Sequence, residues 1–254
     1  MALSQAALDT FNRGARENPR FWSRFGHMPD FTGARVVDLG CGYGRMCVDV
    51  ARAGAAKVVG IDIVPEYIDF AAENVRQNFP DLAGRIEFKA IRLDDYAEGD
   101  FDYFISKDAF EHISDLPGLL AEMKKRLRAG GRIYAGFGPL WHAPHGDHFE
   151  ARIYLPWGHL IVPESLIVKR WRKLKKPYRS LKDMGMNMMS LADYVRVFER
   201  CGLRIVSFRT NRSANPMAKV LSLLAVIPAL REYCTFNIFC ILEKEADAGA
   251  PRGR

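Results

Sequence analysis

A short apolar strand that ends in an acid and runs into a Gly-x-Gly-x-Gly turn constrains this chain more than anything else in it. The stretch is Val36-Val37-Asp38-Leu39-Gly40-Cys41-Gly42-Tyr43-Gly44-Arg45. Glycine has no Cβ and tolerates positive φ, so backbone of this kind can pass close to a ligand. The helix expected after it, over 45–53, offers unpaired N–H groups at its start. The spacing is not the Gly-x-Gly-x-x-Gly that seats a pyrophosphate. Asp38 would also repel a phosphate, whereas a carboxylate there suits an ammonium group. A second apolar run, Lys57-Val58-Val59-Gly60-Ile61-Asp62, again ends in an acid, twenty residues after Gly42. An acid at the tip of the second strand of a βαβ unit is placed to accept the hydroxyls of a ribose.

A ligand with an amino-acid end and a ribose end describes S-adenosylmethionine. The chain resembles the class I S-adenosylmethionine-dependent methyltransferases in four blocks. They are Val37-Asp38-Leu39-Gly40-Cys41-Gly42-Tyr43-Gly44, Gly60-Ile61-Asp62, Phe101-Asp102-Tyr103-Phe104-Ile105-Ser106 and Leu127-Arg128-Ala129-Gly130-Gly131-Arg132-Ile133. The resemblance is strong over 31–137 and weaker over 191–244. It implies that Asp38, Gly40, Cys41 and Gly42 hold the amino-acid end of the cofactor, and that Asp62 with Ile63 holds the ribose. Many members carry an acid after the third strand, against the adenine. That place falls at Arg92 here, so Leu93 and the displaced Asp94 are the candidates. Ser106 and Asp108, after the fourth strand, are implied at the methionine end, with Glu111 at the mouth of the acceptor pocket. His112 reads as the surface of a helix start.

The pattern along the chain predicts a doubly wound α/β fold with a seven-stranded, mostly parallel sheet and helical insertions on the substrate side. Strands are expected at 35–39, 57–62, 86–90, 103–106, 132–137, 203–209 and 236–243. Helices are expected at 45–53, 65–78, 116–128 and 191–201, the third stopped by Gly130-Gly131. The resemblance places the last strand antiparallel between the fifth and sixth. Residues 1–246 read as one domain. Residues 1–30 form a helical cover, either over the ligands or on the sheet edge, 31–137 form the cofactor core, and 247–254 form a disordered tail. There is no secretory signal and no run of 18 apolar residues. The five cysteines, 41, 47, 201, 234 and 240, form no Cys-x-x-Cys pair and read as reduced thiols of a cytoplasmic protein.

Two insertions, 138–189 and 211–234, read as a cap over the acceptor. The first opens with Trp141, His142, His145 and His148, three histidines within seven residues at the carboxyl end of the sheet. Trp141 and His142 are candidate substrate contacts. Methyl transfer needs an oriented acceptor and, for some acceptors, a base, and histidine suits that role. His148 is the first candidate base and His145 the second. A metal at His145-x-Asp147-His148 and loop histidines without a direct role are the competing readings, and no metal is expected.

The stretch 169–182 holds eight Lys and Arg among fourteen residues and no acid. Without them, 29 Lys and Arg face 30 Asp and Glu, so the whole net charge of +7 originates here. An anionic acceptor, an anionic membrane surface, an acidic carrier or a solvated lid face would all suit it. Nucleic acid fits less well, because no aromatic stacking platform is interleaved. The apolar run 217–228 is too short to span a bilayer. It reads as pocket wall or core, with a partner subunit of a homodimer or a membrane interface as alternatives. The functional expectation is methyl transfer to a small-molecule acceptor such as a secondary metabolite, a saccharide or a lipid-linked group. Methylation of a protein or nucleic acid, and a non-catalytic docking module, are the alternatives.

Overall fold

The structure, a computed structural model, describes residues 3–212 and 216–246. The tail expected at 247–254 lies outside the described residues. Seven strands form one sheet in the order β3-β2-β1-β4-β5-β7-β6. They are β1 (Arg35–Leu39), β2 (Lys57–Asp62), β3 (Ile86–Ala90), β4 (Phe101–Lys107), β5 (Leu127–Phe137), β6 (Arg204–Thr210) and β7 (Ile238–Glu243). β1 to β5 are parallel, and β7 lies antiparallel between β5 and β6, as the resemblance implies.

β1, β2 and β7 are nearly continuous buried runs because both faces are covered. Alternation along β1 and β2 sends Val36 and Val58 to one face and Val37, Leu39, Val59 and Ile61 to the other. The first face packs against α1 (Gln5–Phe25), α2 (Arg45–Arg52) and α3 (Pro65–Asn78), the second against α4 (Leu116–Arg126) and α7 (Leu191–Arg200). Each wholly buried Ile, Leu or Phe in these layers contributes roughly 1.5–3 kcal/mol.

α1 decides between the two readings of the N-terminal cover. It lies across the sheet face, not its edge: Phe21 packs edge-on against Phe239, and Phe25 against Tyr134 and Phe239. The same helix reaches the ligand end of the sheet, where Glu17 and Asn18 take Lys107 at 3.0 and 3.4 Å. Most boundaries fall within two residues of expectation, and the largest difference lies before β5. The helix foreseen to Arg128 ends at Arg126 and β5 begins at Leu127, because Leu127 pairs with Phe101 and the Gly130 N–H bonds the Lys244 carbonyl at 2.7 Å.

The cap has its own small core. Ala151, Ile167 and Trp171 are buried together, with α6 (Glu164–Lys173) supplying the last two. The Trp171 indole N–H closes the unit on the Glu150 carbonyl at 2.7 Å. α5 (Gly158–Ile161) is a single turn before α6. The second insertion forms α8 (Pro216–Leu224) and α9 (Pro228–Cys234). Its apolar run is mostly surface, not core: Ala218 and Leu221 are buried, but Leu223 is 74% and Val226 79% exposed. The insertions meet where the Trp157 indole N–H bonds the Tyr233 carbonyl at 3.0 Å. No described helix is long and apolar enough to cross a membrane.

Candidate functional site

The turn after β1 is fixed by β2. The N–H groups of Gly40 and Cys41 both bond the Ile61 carbonyl, at 2.8 and 3.1 Å. Gly40 sits at φ 74° and Gly42 at φ 51°, where an L side chain is strained. A Cβ on Gly40 would lie 2.9 Å from the Ala109 Cβ, so the β4 loop needs a glycine there. A Cβ on Gly42 would meet nothing within 4 Å among the described residues, so space is open on that side.

Asp62 locks the turn from the other strand. Its Oδ2 accepts the Gly42 N–H at 2.9 Å and its Oδ1 the Val64 N–H at 3.0 Å. Each carboxylate oxygen keeps a lone pair for a further donor, and the side chain is half-buried, so a diol fits there. Ile63 beside it is 73% exposed, a large apolar side chain that a flat ligand would cover.

Asp38 is placed differently from a simple ammonium clamp. It is 2% exposed, beneath the turn, and its Oδ2 accepts from the Cys47 thiol at 3.2 Å. Burial pushes its carboxyl up to about 7. Cys41 is buried with its sulfur turned to the Gly42 carbonyl, consistent with a small residue filling the turn. Ser106 is buried and its hydroxyl is committed to the Leu39 carbonyl at 3.2 Å, so it ties β4 to β1.

Asp108 follows at φ 54°, its N–H on the Gly136 carbonyl. It is open to water yet crowded on its other sides, as a cleft wall is. Burial raises its carboxyl against the pull of Lys107 and Arg24. Of the adenine candidates, Leu93 is buried. Asp94 is exposed and held by Arg92 Nε at 3.0 Å, which lowers its pKa.

On the acceptor side the structure separates residues that the sequence groups. The segment 145–152 winds through successive turns, with the His148 N–H on the His145 carbonyl and positive φ at His148, Phe149 and Arg152. Its histidines therefore diverge. His145 stacks on Phe149, ring centroids 4.4 Å apart. His142 Nδ1 lies 2.9 Å from Glu232 in α9. Asp147 belongs to neither: it is buried 3.6 Å from His159, whose Nε2 is 2.6 Å from the Trp141 carbonyl. Trp141 is itself buried in this wall.

His148 turns toward the β4 loop, its ring centroid 5.3 Å from that of His112. Burial and the neighbouring His112 hold its pKa below the usual histidine value. Glu111 completes the group from a short turn, Phe110–His112, and is wholly buried. Its Oε1 accepts the Gly138 N–H at 3.0 Å, and its carboxyl is pushed up to about 8 by burial.

Asn187 clamps this region, and nothing in the sequence gave it a role. Its side-chain amide donates to the Phe110 and Ile113 carbonyls at 2.8 and 3.1 Å, and its N–H bonds the Glu111 carbonyl. Asp147–His159 was missed likewise, since its members lie twelve residues apart with no shared pattern.

Residues 30–137 match the family described as a methyltransferase domain. Over 102 residues the chain is 39% identical to the magnesium-protoporphyrin O-methyltransferase of Rhodobacter capsulatus, covering 39% of this chain and 44% of that one. The chain thus spans less than half the length of that relative. Over 201 residues it is 28% identical to a ubiquinone biosynthesis O-methyltransferase of Mesorhizobium japonicum, covering 67% and 78%. In fold it is similar to a geranyl diphosphate C-methyltransferase of Streptomyces coelicolor A3(2), solved with Mg2+, geranyl diphosphate and S-adenosyl-L-homocysteine. The TM-score is 0.61 at 14% identity, over 90% of this chain and 79% of that one.

Proposed function

We propose that this chain, whose residues 30–137 form a class I methyltransferase domain, transfers the methyl group of S-adenosylmethionine to a small-molecule acceptor held under its cap. The observation that carries the reading is the bridge made by Asp62, which fastens the glycine turn while keeping lone pairs toward open space. The bound cofactor supplies a sulfonium methyl that is already activated for in-line displacement. The chain's own residues therefore chiefly orient the acceptor, exclude water and handle a proton.

Gly40, Cys41 and Gly42 present backbone to the amino-acid end. Asp38, beneath them, supplies negative charge through the turn and not by open contact. Asp62 takes the ribose hydroxyls, and Ile63, Leu93 and Asp94 border the adenine. Ser106 holds the β4 end in place, and Asp108 faces the methionine end. On the acceptor side His148, uncharged at neutral pH, handles the acceptor's proton beside Glu111. His145 is turned away onto Phe149, so it serves the pocket wall with Trp141 and His142.

A small molecule is favoured because the similar proteins include methyltransferases of magnesium protoporphyrin, of ubiquinone biosynthesis and of geranyl diphosphate. The positive charge of 169–182 suits an anionic acceptor. A groove of about 330 Å³ lined by Arg152, Tyr154, Arg170, Leu174 and Lys176 lies within this basic part of the cap. Exposed Leu166 and Leu174 beside those cations also suit an anionic membrane on which a lipid-linked acceptor would reside.

The test is transfer of a labelled methyl group from S-adenosylmethionine to candidate acceptors, with label in the acceptor and release of S-adenosylhomocysteine as readouts. Turnover on a small hydroxylated or anionic compound that falls at least tenfold in His148→Ala is expected. Label entering only protein or RNA would transfer the assignment to a macromolecular acceptor.

A further inference from the structure

Three side chains around the acceptor mouth are arranged as ligands without a partner. One candidate ligand atom each from Glu111, His112 and His148 lies within 4.8 Å of the other two. Donors about 2.0–2.2 Å from one tetrahedral ion stand roughly 3.3–3.6 Å apart, so the three side chains would draw together on binding. Each side chain is also oriented by a backbone group that occupies its other end. His112 Nδ1 meets the Gly185 carbonyl at 3.0 Å, and His148 Nε2 meets the Pro139 carbonyl at 3.3 Å. A carbonyl only accepts, so these nitrogens carry the protons, leaving Nε2 of His112 and Nδ1 of His148 with free lone pairs. The Gly138 N–H likewise occupies Oε1 of Glu111.

Oε2 of Glu111 is buried and has no hydrogen-bond partner among the described residues, in a side chain with no exposed surface. A buried carboxylate oxygen left unpaired is costly, so such a group points to an absent partner. A ring nitrogen tied to a carbonyl while the other faces inward is the usual support of a metal-bound histidine.

We propose that Glu111, His112 and His148 bind a divalent transition-metal ion at the acceptor mouth. Two imidazoles and one carboxylate suit Zn²⁺, Mn²⁺, Co²⁺ or Fe²⁺ better than Mg²⁺ or Ca²⁺, which prefer all-oxygen sites. Three protein ligands leave positions open for an oxygen of the acceptor. An acceptor hydroxyl bound there would lose its proton more readily, to water at the open mouth, and His148 would then act by holding the ion, since its Nε2 is already protonated and its Nδ1 is a ligand. That use rests on the methyl-transfer reading, but the site itself does not. The ion would also link the β4 loop, the β5 loop and, through Gly185, the lid.

Chelator-treated protein is titrated with Co²⁺ and with Zn²⁺ by calorimetry, and the Co²⁺ absorption spectrum is recorded. S-adenosylhomocysteine binding is measured on the same samples. The expected result is one equivalent per chain, weakened at least about tenfold in Glu111→Gln, His112→Ala and His148→Ala. Binding is kept in His27→Ala, which alters an exposed histidine after α1. Unchanged S-adenosylhomocysteine binding shows the variants are folded. No ion bound by wild type, or equal binding in His148→Ala, overturns the proposal. Ion binding without S-adenosylhomocysteine binding leaves the site standing and overturns only the methyl-transfer reading.

Discussion

The cofactor site, at the ends of β1 and β2, and the acceptor side, where the β4 loop meets the cap of 138–189 with 211–234, solve the problem of a binding site in opposite ways. At the first each functional residue sits at a strand end and is held by its sequence neighbours or by the adjoining strand. Gly40 and Asp62 are fixed by β1 and β2 alone. On the acceptor side, from the β4 loop into the cap, each functional residue is held by backbone outside its own turn. Glu111 is oriented by Gly138, His112 by Gly185 and His148 by Pro139. The first kind of site tolerates little change at single positions. The second can be rebuilt by changing a loop, which fits a fold that serves many acceptors.

The largest single effect is expected at the turn. Gly40→Val forces a β-branched residue to φ 74° against Ala109. Strain and overpacking together cost about 2–5 kcal/mol. S-adenosylhomocysteine affinity should fall about 100-fold or more, with a lowered melting temperature. Retained affinity would mean that the turn is not the cofactor contact.

Asp38 should give the next effect, and a pH-dependent one. Its folded carboxyl titrates near 7, well above an unfolded aspartate. Between about pH 4 and 7 the folded chain therefore holds a proton that the unfolded chain has lost. Wild-type stability should fall across that window relative to Asp38→Asn and level off above it. The difference is of the order of 2–4 kcal/mol. Denaturation at pH 5 and pH 8 checks it, and parallel profiles for the two proteins would contradict it.

A smaller effect tests how the cap joins the core. Ser190 caps α7 reciprocally with Asp193, its Oγ accepting the Asp193 N–H at 3.0 Å. Ser190→Ala should cost about 1 kcal/mol in chemical denaturation and leave S-adenosylhomocysteine binding unchanged. The smallest effect is expected on the lid face. Lys169, Arg172 and Lys173 are exposed. Replacing all three by Gln should change stability by no more than about 0.5 kcal/mol per site. Co-sedimentation with anionic vesicles should nonetheless fall. Unaltered sedimentation would remove the membrane reading and leave the comparison of the two sites intact.

The same contrast explains what could be read from the sequence. Strands β1 to β4 and the turn are local patterns: short apolar runs, an acid near the tips of β1 and β2, and glycines at fixed spacing. These were legible to within a residue or two. The reversed β7 was legible only through resemblance, since antiparallel pairing with β5 has no local signature. The histidine run 142–148 was visible as chemistry, but its directions were not. Positive φ at His148 sends that ring to His112, while His145 stacks on Phe149. Glu111 was marked as a candidate, but its complete burial depends on Gly138 and Asn187, which lie 27 and 76 residues further on. The run 217–228 looked like core by hydropathy. Only its placement on the outside of the cap shows otherwise.

The most direct test of the central claim is calorimetric binding of S-adenosylmethionine and S-adenosylhomocysteine to the wild type and to Asp62→Ala. The account predicts micromolar binding of both by the wild type. It predicts at least a tenfold loss in the variant, in line with about 1.5–3 kcal/mol for a charge-assisted hydrogen bond. A folded wild type that binds neither ligand, or an Asp62→Ala variant that binds as well as the wild type, would contradict it.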